Sequence, residues 1–161
     1  MADRPAVNAS PLIFLTRAGL LNLLQLVAPE FVVPAPVADE IRSFGPGDPA
    51  ASALDGTSWL QVVEPPAVPA TIQAWDLGPG ESSVLAWCAA RPGLQAILDD
   101  LAGRRCAEAL GIPVRGTLGI VLLGKQQGRL RAARPVLESL RRGGFYLSDH
   151  VMNRALAMIG E

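Results

Sequence analysis

Val7-Asn8-Ala9-Ser10-Pro11-Leu12-Ile13 and, far downstream, Ile97-Leu98-Asp99-Asp100 followed by Arg104-Arg105-Cys106-Ala107-Glu108-Ala109-Leu110-Gly111 decide the fold. Each reads as a strand that ends on a small polar or acidic group and passes into a helix. In an open parallel sheet such strand ends gather at one crevice, and ligands bind there. Acidic groups converging at that crevice, with few fixed cations beside them, point to a divalent-metal site.

Outward from these two stretches, strand and helix alternate. Residues 4–8 form a first strand. Ser10 before Pro11 reads as a helix cap with proline at the first helical position, opening a short helix over 11–18. Gly19 breaks it, and Leu20 to Val27 form a second apolar helix. Phe31-Val32-Val33, β-branched and bounded by Pro29 and Pro34, is a buried strand over 30–33. Pro36 opens a helix through Val37, Ile41 and Phe44, with Ala38, Asp39 and Arg42 facing away. Gly45 to Pro49 is a loop. A third strand spans 59–63, and Glu64 to Pro69 is a proline-rich connection. Gly78-Pro79-Gly80 precedes a helix from Glu81 to Ala90, with its acid in the first turn, where the helix dipole favours it. Residues 94–98 and 113–115 are the fourth and fifth strands. Between them runs a helix from Leu101 to Leu110, stopped by Gly111. Gly116-Thr117 introduces an apolar helix to Gln126, and amphipathic helices follow at about 134–142 and 148–159. The expectation is a single domain over 1–161. It is a three-layer α/β/α fold with a central parallel sheet of four or five strands and a helical last third.

Composition sets the outer limits. Half of the 161 residues are hydrophobic, enough for a sizeable core and against global disorder. The formal charge of −1 supplies no global basic field for nucleic acid, so any such contact must be local. Cys88 and Cys106 form no C-x-x-C pair, and a domain of this size needs no disulfide, so a reducing cytoplasmic setting is expected. The Met1 stretch lacks a signal-peptide pattern, and no apolar run reaches the roughly 18 residues of a membrane span. His150 is the single histidine, which argues against histidine-based ribonuclease chemistry and most zinc sites. Trp59, Trp75 and Trp87 are scattered, not spaced as a stacking platform. Lys125, Arg129, Arg131, Arg134, Arg141 and Arg142 form the best basic patch. It reads as a solvated helix face, or as a surface for RNA backbone or an acidic partner.

Five segments in order carry a resemblance: N-x-S-P-L-I at Asn8–Ile13, P-x-x-V-x-x-E-I at Pro34–Ile41, Gly80-Glu81, L-D-D at Leu98–Asp100, and A-E-A-L-G-I-P-V-R-G-T-L-G at Ala107–Gly119. Together they resemble the PIN domain, and specifically the compact prokaryotic kind related to the ribonucleases of toxin–antitoxin pairs. The resemblance spans nearly the whole chain. It implies a Mg2+- or Mn2+-dependent endoribonuclease acting on single-stranded or structured RNA. It also implies a homodimer and an antitoxin-like protein partner. Carried over by position, Asn8, Glu40, Glu81 and Asp99 form the metal cluster with Asp100 adjacent, and Glu40, Glu81 and Asp99 are the catalytic acids. From the residues themselves, and not from the resemblance, Ser10, Arg104 and Thr117 are further candidates: Ser10 to hold Asn8 or a metal-bound water, Arg104 to contact phosphate unless it is a solvated helix residue, and Thr117 to cradle phosphate. Two positions depart from the family pattern. Asn8 stands where an aspartate is usual, although some relatives of this subgroup carry asparagine, and Ser83 stands where another acid is common. Each lowers the cluster's charge, so the resemblance leaves two functions open: a weakened nuclease, or an inactive PIN-like module that binds RNA or protein.

Each residue also has a plain structural role. Glu81 can be only a dipole partner, Glu40 a solvent-facing residue, and Asp99 or Asp100 the cap of the next helix. Arg104, one turn past Asp100, can pair with it. Gly116-Thr117 can be a simple capping turn or a phosphate cradle. Several carboxylates sharing one cleft should leave at least one with a raised pKa when no metal is bound.

Overall fold

In the computed structural model, which describes residues 3–161, five short parallel strands form one sheet. They are β1 (Ala6–Val7), β2 (Phe31–Pro34), β3 (Leu60–Val63), β4 (Ala96–Ile97) and β5 (Val114–Arg115). Their order is β3-β2-β1-β4-β5. The chain thus builds outward from β1 to one side, then returns and builds to the other. The reversal lies between β1 and β4, where Ala6 pairs with Ala96 and Val7 with Ile97. This is the switch point of an open α/β sheet, where the flanking connections diverge and leave a crevice. Asn8 follows β1 and Asp99 follows β4, so both stand at its mouth.

The central strands β1, β2 and β4 are wholly buried. That explains their continuous apolar character, since a parallel strand covered on both faces need not alternate. Helices clothe the sheet: α1 (Ala9–Arg17), α2 (Ala35–Arg42), α3 (Pro49–Gly56), α4 (Ala70–Gln73), α5 (Pro79–Ala89), α6 (Leu101–Ala109), α7 (Thr117–Gln126), α8 (Arg134–Arg142) and α9 (Asp149–Met158). Helix α5 packs against β1, β2 and β4 and also against α2. It is buried from Ser82 through Cys88, which places its N-terminus at the crevice.

Several local expectations are corrected. Ser10 is not the cap of α1. The helix begins at Ala9 with Asn8 in the cap position, and the Ser10 hydroxyl turns to another element. Leu21–Leu26 is a 3-10 segment, not an α-helix. Helices α3 and α4 lie in stretches read as loop or left unassigned. The signal for α3 was present, because Asp48 accepts the Ala50 N–H at 2.9 Å and Pro49 opens the helix. One-turn α4 is held by the wholly buried Ile72 and has too few residues to show a period. Ala38 is buried where it was placed facing away, and Phe44 is exposed beyond the end of α2. Helix α2 packs against α1, α3 and α5, so its covered arc is wider than one apolar stripe suggests.

Half of the basic patch is engaged within the fold through Lys125, Arg134 and Arg141, whereas Arg129, Arg131 and Arg142 are exposed. The Glu161 carboxylate accepts the Ala133 and Arg134 N–H groups at 2.7 and 3.1 Å and pairs with Lys125 at 3.5 Å. Arg141 pairs with Asp149 at 2.8 Å. Cys88 and Cys106 are buried, and burial raises the Cys88 thiol to about 11, so both are core residues. Among the described residues no helix is long and apolar enough to cross a membrane.

Candidate active site

The crevice residues fall into two groups joined by the first turn of α1. In the first, Asn8 is almost fully buried because its backbone extends the sheet, its N–H bonding the Ile97 carbonyl at 2.9 Å. Its side-chain Nδ2 donates to Glu81 Oε1 at 3.3 Å. Its Oδ1 is buried and has no hydrogen-bond partner among the described residues. Gly80 sits against that oxygen. A Cβ on Gly80 would stand 3.0 Å from Asn8 Oδ1 and 3.5 Å from Glu40 Oε2, so a side chain there would crowd the Asn8 oxygen, and both oxygens border the space the glycine leaves. Burial first, and then the charge of Glu81, raises the Glu40 carboxyl above its ordinary value of 4.5. Glu40 as a whole residue is solvent-exposed, and the like charge of Glu81, the crowding expected from the sequence, is the smaller of the two causes. The other Glu81 oxygen lies back over Gly78 at the N-terminus of α5, 2.7 Å from where a Cβ would be. Glu81 thus serves the helix dipole and the crevice together.

The second group centres on Asp99. Its Oδ2 accepts the Ser10 and Thr117 hydroxyls, both at 2.7 Å, and its Oδ1 accepts the Thr117 N–H at 2.7 Å. Thr117 is fully buried and is the first residue of α7, so Asp99 caps that helix from a neighbouring strand. Gly116-Thr117 is therefore more than a local turn, since no side chain of its own caps α7. Asp100 points elsewhere. Its Oδ2 accepts the Gly103 N–H at 2.8 Å and caps α6. A Cβ on Gly103 would lie 3.5 Å from Asp100 Oδ2 and 3.7 Å from Glu81 Cγ, which brings the cap to the edge of the first group. Arg104 does not pair with Asp100, because that carboxylate is turned to its cap. Its Nη1 lies over Gly116, 2.5 Å from where a Cβ would stand and on the same side as Asp99 Oδ1 at 2.9 Å.

All eight residues singled out from the sequence therefore line the crevice mouth or its immediate border. Three glycines between them, Gly80, Gly103 and Gly116, were not singled out for their steric role. That role depends on which side chains close in from other elements and leaves no mark in a single sequence. Ser83, at the second departure from the family pattern, is buried and donates to the Gly80 carbonyl at 2.8 Å. It holds the α5 turn on which Gly80 and Glu81 sit.

Compared with protein-family models, residues 5–161 match the family DUF3368, described as a PIN domain. The chain belongs to the PIN-domain family. No curated protein matches it. As a PIN domain it has a nuclease-type fold, and its five-stranded parallel sheet with helices on both faces is the architecture expected from the sequence.

Proposed function

We propose that this PIN domain is a divalent-metal-dependent endoribonuclease with a weakly charged site. Glu40, Glu81 and the Asn8 amide oxygen hold the cation, and Asp99 is the positioned acid beside it. The supporting observation is Asn8 Oδ1, a buried oxygen without a partner among the described residues, which borders with Glu40 Oε2 the space that Gly80 leaves open. A buried acceptor left unsatisfied costs about 1–3 kcal/mol, and a hard cation or one of its waters would satisfy it. Oxygen donors suit Mg2+ or Mn2+, and Mg2+ commonly takes only one or two carboxylates while keeping several waters. Among the described residues no three of His, Cys, Asp and Glu are grouped to hold a metal. The donor set is accordingly two carboxylates and an amide, which fits a hydrated, loosely held ion. When bound, such an ion supplies an activated water and offsets charge on the phosphate and the leaving oxygen.

The chain's own residues do the rest. Ser10 and Thr117 hold Asp99 by three hydrogen bonds, so its carboxylate is fixed in one orientation. Asn8 orients Glu81 through its amide. Asp100 anchors the start of α6 and stays outside the innermost set. The RNA-cleaving reading includes a toxin-like role with an antitoxin-like partner. It also includes a two-fold homodimer through the late helices, where Leu118, Leu122 and Val136 are only partly buried. A reducing cytoplasmic setting suits the two buried free thiols.

A specific feature favours the second reading, an inactive RNA- or protein-binding module. Asn8 brings no charge, and it already satisfies Glu81 by a hydrogen bond. Calorimetric titration with Mn2+, run beside cleavage of a labelled RNA, separates the two. Heat of binding at millimolar metal together with metal-dependent cleavage supports the nuclease. No binding and no cleavage replaces it with the module.

A further inference from the structure

We propose that Arg104 is the residue that receives a phosphodiester group of the RNA strand at this site, an inference that rests on the nuclease reading. The site carries the carboxylates of Glu40, Glu81 and Asp99 on a chain whose formal charge is −1. A polyanionic strand approaching it is favoured by a fixed cation beside the acids in addition to a bound metal. Arg104 is that cation. It is half-buried on α6, and its Nη1 is brought to the Asp99 side of the crevice over Gly116.

A guanidinium beside a carboxylate ordinarily pairs with it, but here the ion pairs among the described residues lie elsewhere. The reason is visible at Asp99. Its oxygens are already taken up by Ser10 and Thr117 through three short hydrogen bonds. Asp100, four residues before Arg104, turns Oδ2 to the Gly103 N–H, and Arg104 makes no ion pair with it. The five N–H donors of the Arg104 fork are thereby left over at the mouth of an acidic crevice. A phosphodiester presents two non-bridging oxygens that match this planar fork, an arrangement that a lysine ammonium does not reproduce. Gly116 is part of the device. A Cβ there would fall 2.5 Å from Arg104 Nη1 and 2.9 Å from Asp99 Oδ1 and would push the guanidinium out.

The test measures binding of a fluorescein-labelled single-stranded RNA of mixed sequence by anisotropy, across a salt series, in EDTA and again with Ca2+. The proteins are wild type, Arg104→Ala, Arg104→Lys, Gly116→Ala and Arg105→Ala, the last an exposed neighbour on α6. Removing one phosphate contact to a single strand lowers the slope of log K against log salt by about 0.7. Loss of a charge-assisted fork should weaken binding about tenfold at low salt. Arg104→Ala and Gly116→Ala should both show this, with unchanged melting for Arg104→Ala. Arg104→Lys should recover the slope but only part of the affinity, and Arg105→Ala should keep both. If Arg104→Ala keeps the wild-type slope, or Arg105→Ala loses as much, Arg104 is not the phosphate contact even though the nuclease reading stands. If wild type binds no RNA with either addition, the nuclease reading fails and this inference with it.

Discussion

Replacing Asn8 by aspartate should convert a hydrogen bond into a repulsion, and metal should reverse it. In the folded chain Asn8 Nδ2 donates to Glu81 Oε1 at 3.3 Å. An aspartate oxygen in that place would face another anionic oxygen. At an effective dielectric of about 20, two unit charges at that distance repel by about 5 kcal/mol. The protein escapes part of this by protonating the pair, which at neutral pH costs an aspartate about 4 kcal/mol from its usual pKa, and part by moving the half-exposed Glu81. Loss of the amide hydrogen bond adds about 1 kcal/mol. A net destabilisation of about 2–4 kcal/mol follows. For a domain of this size that is a fall of roughly 5–15 °C in melting temperature. The raised pair means that the penalty is absent in acid and grows as pH rises through the usual carboxylate range. A divalent cation binding only the folded state restores about 2.7 kcal/mol at a hundredfold excess over its Kd. Differential scanning fluorimetry of wild type and Asn8→Asp, in EDTA and in Mn2+, therefore has a clear expected pattern. The variant melts lower in EDTA, gains more than wild type from Mn2+, and cleaves RNA faster in Mn2+. If its melting in EDTA equals wild type and Mn2+ shifts both alike, Asn8 does not belong to a carboxylate site and the charge argument is wrong.

Three further substitutions probe the same crevice. Glu40→Gln should raise the melting temperature of the metal-free protein at neutral pH. The Glu40 carboxyl is raised above 4.5 by burial and then by Glu81, so its stabilising contribution is full below about 4.5 and lost as pH rises through the raised value; parallel melting curves for both proteins across that range would contradict this. Thr117→Val removes one of three donors to Asp99 at a fully buried position and should cost about 1–3 kcal/mol in urea unfolding; a change under about 0.5 kcal/mol would mean that the hydroxyl does not hold Asp99. Asp100→Ala deletes the cap of α6 and should cost about 1 kcal/mol while leaving the calorimetric Mn2+ affinity within about twofold; a tenfold loss of affinity would make Asp100 a ligand.

The sheet was legible because its strands announce themselves in two ways. Phe31-Val32-Val33 is β-branched and bracketed by prolines, and strand ends such as Leu98-Asp99-Asp100 pass abruptly from apolar to acidic. All five strands fall where the pattern places them. The helices that escaped are the ones that tertiary contacts make. Helix α4 has one turn and one anchor, Ile72. Helix α3 is alanine-rich, so the hydrophobic contrast between its faces is faint, and only Asp48-Pro49 marked its start. The buried side of α2 was misjudged at Ala38 because a small residue carries little sign of whether a second or third helix covers it.

The acids of the candidate site could be named from the sequence by type and order, but not by the partners each one takes. A sequence names Asp99 and Asp100 as neighbours of equal charge. Only the fold reveals that Asp99 is held by Ser10 and Thr117 from two other helices, whereas Asp100 is spent on the Gly103 N–H of its own. The same holds for Ser10, which looked like a cap and instead ties α1 to the end of β4. These bonds divide the crevice in a way that composition cannot. Around Asp99 every oxygen has donors, so that half is stable without a cation and leaves Arg104 free. Around Gly80, the Glu40 carboxyl is raised by burial and then by the charge of Glu81, and Asn8 Oδ1 has no partner among the described residues. On the proposed reading a cation enters on the Gly80 side and a phosphate on the Gly116 side, where Asp99 Oδ1 also lies. On that reading Asn8 should set how strongly the cation is held, because it is neutral and stands beside the oxygens of Glu40 and Glu81.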